Sequence, residues 1–92
     1  MSEFTSKYSR QIAFVRIGPD GQVSEVCGAS GTWPARTARH VVEDLELGLH
    51  AYHVSWDGIT TEVVDASDGR GRYLAAQLEG ERDNLLLHLP RF

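Results

Sequence analysis

The chain is poor in the residues from which recognisable chemistry is usually assembled. Its 92 residues include one cysteine, Cys27, so an intrachain disulfide is excluded and a reducing compartment is expected. No apolar run approaches the ~18 residues that mark a membrane-crossing helix. No basic-then-apolar leader opens the sequence either, so neither a span nor a signal peptide is expected and a cytoplasmic location follows. Positive charge is scarce, with 9 Lys and Arg against 13 Asp and Glu, and the net charge of −4 argues against broad attraction to nucleic acid or anionic membrane. There is no internal repeat. What remains, 41% apolar and 24% charged residues, is the ordinary balance of one folded domain.

One stretch organises the rest. Ala38, Val41, Val42, Leu45 and Leu49 recur at the spacing that gathers side chains on one face of a helix. Arg39, His40, Glu43, Asp44 and Glu46 fall mainly opposite. Thr37 suits the N-cap and Gly48 the left-handed C-terminal stop. Arg39 and Glu46 oppose the helix dipole, but each mismatch costs only a few tenths of a kcal/mol, against roughly 1.5–3 kcal/mol for each buried Val or Leu. Packing decides the matter.

The remainder reads as strands. Residues 1–9 are polar and aperiodic, a flexible N-terminus, and 10–92 form the domain. Residues 11–17 predict a strand with Ile12 and Phe14 on one face and Ala13, Val15 and Ile17 on the other. Gly18-Pro19-Asp20-Gly21 turns it, and residues 22–27 return. After the helix, His50, Tyr52, Val54 and Trp56 alternate with Ala51, His53 and Ser55. Asp57-Gly58 makes a hairpin turn, residues 59–65 a β-branched strand, and residues 72–79 a third. The expectation is an α+β fold, an antiparallel sheet in ββαβββ order with one helix packed across one face.

The final segment, Asp83-Asn84-Leu85-Leu86-Leu87-His88-Leu89-Pro90-Arg91-Phe92, is too apolar to remain in water. It predicts a docked edge strand or extended tail that Pro90 terminates, or a surface of Leu85, Leu87, Leu89 and Phe92 buried against a second copy. Asp83 to Leu86 and Leu89 to Phe92 resemble the ending of a family of small, mostly bacterial domains of unknown function. Members of that family close on Asp-Asn-Leu-Leu, one further residue, then Leu-Pro and often Arg-Phe. Leu87 and His88 stand where the family has one residue. Ile12 to Arg16, a helix ending in glycine before Ala51-Tyr52, and a tyrosine-led last strand ending in Gly80 are weaker echoes. The resemblance implies a similar α+β fold and no particular activity.

Candidate site residues divide by chemistry. Trp33, in a loop before the helix, either folds back onto the first turn or stacks on a ligand. Cys27 precedes Gly28-Ala29-Ser30-Gly31, but Thr32 stands where a nucleophile elbow needs glycine, and the loop lacks the Gly-Lys-Ser/Thr of a phosphate loop. A buried, inert thiol is the ordinary alternative. His50 and His53 lie three apart, on opposite faces of a strand, which speaks against a shared metal, and no cofactor is expected. Arg70, Arg72 and Arg82 could form a small phosphate or nucleic-acid patch, or simply be solvated. Asp83 and Asn84 either recognise a partner or satisfy backbone at a turn. Together these favour a small non-catalytic binding domain, self-associating as a homodimer or acting as an adaptor. The alternatives are an enzyme using Cys27 or a His/carboxylate pair beside Gly28–Gly31, and a weak nucleic-acid or phosphate binder through Arg70, Arg72 and Arg82.

Overall fold

The periodicity of the central stretch produces a helix, α1 (Ala38–Leu47), and its two ends are fixed by local chemistry. Thr37 Oγ1 accepts from His40 N–H at 3.1 Å. Gly48 takes φ 70°, and the N–H groups of Gly48 and Leu49 donate to Leu45 O and Asp44 O, closing the orphan carbonyls as a left-handed cap does. Val41 is fully buried, with Ala38, Val42 and Leu45 packed against the same interior. Two assignments change. Asp44, placed on the wet side by periodicity, is buried, whereas Leu49 lies past the cap and is exposed.

The computed structural model describes residues 9–67, 69, 71–78 and 83–92, which form an α+β domain with this one helix and eight short strands. The strands fall into three small sheets rather than one meander. The expected strand at 11–17 is divided into β1 (Ser9–Gln11) and β2 (Phe14–Ile17). At the join Ile12 N–H donates to His53 O while Ala13 N–H donates to Cys27 O, so neighbouring residues bond into different sheets. That twist is why Ile12 and Val15, on opposite faces of a flat strand, are both buried. β3 (Val23–Cys27) pairs antiparallel with β2 and with a two-residue β4 (Arg36–Thr37) that the sequence did not suggest.

The second half divides in the same manner. β5 (Ala51–Trp56) lies between β1, parallel to it, and β6 (Ile59–Glu62), antiparallel. Asp57 and Gly58 both take positive φ, the geometry of a tight hairpin turn. Val63 then carries the chain across to a separate hairpin of β7 (Val64–Ser67) and β8 (Arg72–Ala75), its own N–H donating to Tyr52 O. Tyr52 and Val54 are buried, as their alternation requires. The helix packs on β3, β4, β7 and β8.

The C-terminal segment docks within the chain, but as a 3₁₀ turn over Leu85–His88. Leu85, Leu86 and Leu89 are all buried, and adjacent leucines cannot share one face of a strand. The extended pairing reduces to a single parallel bridge between Arg91 and Val15: Val15 N–H donates to Pro90 O and Phe92 N–H to Val15 O. The turn touches β2, β5 and β8, one strand from each sheet. Asn84 fastens it. Its Oδ1 accepts from Ala76 N–H at 3.0 Å and Leu86 N–H at 3.2 Å, and its Nδ2 donates to Leu74 O at 2.9 Å.

Asn84→Ala would strand these buried groups, each costing about 1–3 kcal/mol when unsatisfied. Urea unfolding is expected to show a loss of about 2–4 kcal/mol. Asn84→Asp, which keeps the acceptor but not the donor, should fall between the variant and the wild type.

Candidate ligand-binding groove

The site begins with the buried carboxylate of α1. Asp44 is 3% exposed, and a polar group taken from water needs partners. Tyr52, on the inward face of β5, donates its hydroxyl to Asp44 Oδ2 at 2.6 Å. Arg36, placed by the short β4, reaches both carboxylate oxygens at 3.1 and 3.2 Å. Burial and then the bond to Asp44 hold the Tyr52 hydroxyl above its usual pKa. The helix is thus tied to two strands of different sheets through one side chain.

Two further residues build outward from Tyr52. Trp33 meets its ring edge-on, with centroids 5.6 Å apart and planes at 69°. Gly28 permits this, because a Cβ there would collide with Trp33 Nε1 and Thr32 Oγ1. Arg10, on β1, donates from Nη1 to the Tyr52 hydroxyl at 3.2 Å. Its guanidinium carbon stands 5.4 Å from the Trp33 ring centre and 5.9 Å from that of Tyr52. Among the described residues Arg10 enters no ion pair. Beside it opens a groove of about 480 Å³ lined by Ser9, Arg10, Gln11, Ala13, Ala29, Thr32, Trp33 and His50. His50 Nδ1 is buried there without a hydrogen-bond partner among the described residues. Between β1 and β5, Ser9 Oγ and His53 Nδ1 lie 2.6 Å apart, and burial pulls the imidazole below its usual pKa.

Of the described residues singled out from sequence, Trp33 and His50 line this groove and the others do not. Cys27 is half-buried at the end of β3, and the Gly28–Gly31 loop forms a 3₁₀ turn in which Ser30 takes φ 45°. No three of His, Cys, Asp and Glu gather among the described residues. Arg72 is engaged by Asp65 and by Glu46 at 2.6 Å, so its charge cross-links α1 to β7. Arg70 and Arg82 lie outside the described residues. Asp83 faces His88 Nε2 at 2.9 Å, and the Asn84 side chain is taken up by backbone groups. Leu85 and Leu89 are buried in the chain's own interior, whereas Leu87 is half-buried and Phe92 lies beneath Arg16 at 4.5 Å.

Sequence reasoning did not single out Arg10. Its neighbours Ser9 and Gln11 are polar, and nothing local announces an aromatic partner 42 residues away. No helix among the described residues is long and apolar enough to cross a membrane. In comparisons with known proteins, no family model, no curated protein and no solved structure matches the chain.

The titrations of Tyr52 and His53 have opposite signs. A raised tyrosine pKa stabilises the fold fully below the unfolded value near 10 and is lost as pH rises through the folded one. A depressed histidine pKa stabilises above the unfolded value near 6.5 and is lost as pH falls below it. In urea melts from pH 5 to 11, Tyr52→Phe should cost about 1.5–3 kcal/mol at neutral pH and flatten the alkaline limb. His53→Gln should flatten the acid limb.

Proposed function

We propose that the chain is a non-catalytic binding domain whose ligand sits in the groove between Arg10 and Trp33. The observation that carries this is a guanidinium 5.4 and 5.9 Å from two aromatic ring centres, without an ion pair among the described residues, beside an open groove. The ring contacts and the bond to Tyr52 restrict the Arg10 side chain in advance, so a ligand need not pay most of its ordering entropy. The aromatic wall offers apolar contact, and Thr32, Gln11 and Ser9 offer polar contact along the rim.

The other readings draw less support. An enzyme built on Cys27 needs an adjacent base, and the thiol has no hydrogen-bond partner among the described residues. A phosphate patch through Arg72 would have to displace Glu46 and Asp65 first. Self-association through the tail would rest on Leu87 and Phe92, since Leu85 and Leu89 already serve the interior.

A fragment panel screened by ¹H–¹⁵N correlation spectra tests the groove. The expected shifts concentrate on Arg10, Gln11, Thr32, the Trp33 indole and His50. Shifts centred instead on the second groove, between the Gly18–Gln22 turn, α1 and β8, would overturn the assignment.

A further inference from the structure

Resting on that reading, we infer that the Arg10–Trp33 groove is selective for a singly charged carboxylate carried on a flat apolar group. Charge comes first. Among the described residues that line the groove, only Arg10 carries a fixed charge and none is Asp or Glu. One positive charge with no ion pair among the described residues matches a monoanion, whereas a phosphate dianion would bring a second charge with no described cation in the groove to meet it.

Geometry narrows the choice further. A guanidinium offers five N–H donors in a planar fork, the shape that a carboxylate meets in the plane with two oxygens. One of those donors goes to the Tyr52 hydroxyl. Arg10 is held over the Trp33 face, so a ligand bonded at its edge continues along the indole. Ala13 and Ala29 also line the groove, and their short side chains leave room for a flat body. A volume of about 480 Å³ suits a group the size of one or two rings. A carboxylate-bearing aromatic or the acidic end of a short peptide has this chemistry.

The test uses three soluble probes on the full chain, followed through the Trp33 indole N–H resonance. Benzoate carries the charge on a ring, benzamide is its neutral counterpart, and inorganic phosphate carries charge without the ring. Benzoate is expected to bind saturably, with benzamide roughly ten-fold weaker and phosphate weaker still. Added salt should erode the advantage of benzoate over benzamide. In Arg10→Gln the advantage of benzoate over benzamide should vanish, whereas a merely structural loss would weaken both probes alike and keep their ratio. Should that variant fail to fold, the wild-type comparison of benzoate with benzamide decides alone. Equal binding of benzoate and benzamide would overturn the charge selectivity but leave the groove as a binding site. Phosphate binding as tightly as benzoate would overturn the carboxylate assignment. Silence at Trp33 from all three probes would overturn the inference, and fragment shifts centred elsewhere would then remove the groove as well.

Discussion

A carboxylate inside a small domain dictates the arrangement of whatever surrounds it. Asp44 sits on the helix face that packs inward, where an unpartnered charge would be far costlier than any dipole mismatch on α1. Its oxygens therefore fix Arg36 on one strand and the hydroxyl of Tyr52 on another. Tyr52 in turn sets the angle of Trp33 and anchors Arg10. The candidate groove is thus the outer layer of a network whose inner layer holds the fold together. Substitutions at Asp44 or Tyr52 act on both at once.

How much of this was legible in the sequence depended on whether the signal was local. The helix and both its caps were, because Val41, Val42 and Leu45 keep a 3.6-residue period between Thr37 and Gly48. The inward face of β5 was also legible, through the alternation of Tyr52 and Val54. The breaks at Ile12–Ala13 and Val63 were not. A β-branched or apolar run has the same pattern whether it stays in one sheet or passes to another. β4 escaped because two residues after Pro34 and Ala35 carry no period at all. Asp44 looked wet for the opposite reason: its place on the polar arc is clear, but both its partners lie eight residues away in the chain. The site was harder still. Trp33 stood out by size alone, while Arg10 gained its meaning only once β1 lay beside β5.

Dividing the strands among three sheets leaves a junction that no single sheet covers. The interior there is completed by Leu85, Leu86 and Leu89, delivered by the 3₁₀ turn. Asn84 does at that turn what an extra ladder bond would do in a continuous sheet, answering an acceptor at Leu74 within β8 and a donor at Ala76 just past its end. Trp33 has a comparable double role, with one edge on the packed interior and the rest of the indole at the groove.

The contact of Arg16 and Val15 with Phe92 and Pro90 joins parts of the chain more than seventy positions apart. On a ribosome, β2 would be made long before residues 90–92, and its outer edge would wait uncovered until those residues had cleared the exit tunnel. Local hairpins and the helix can form in the meantime. Closure of the hydrophobic centre therefore follows formation of the local hairpins and the helix, and for that interval the nascent polypeptide depends on whatever shields Val15 and its apolar neighbours.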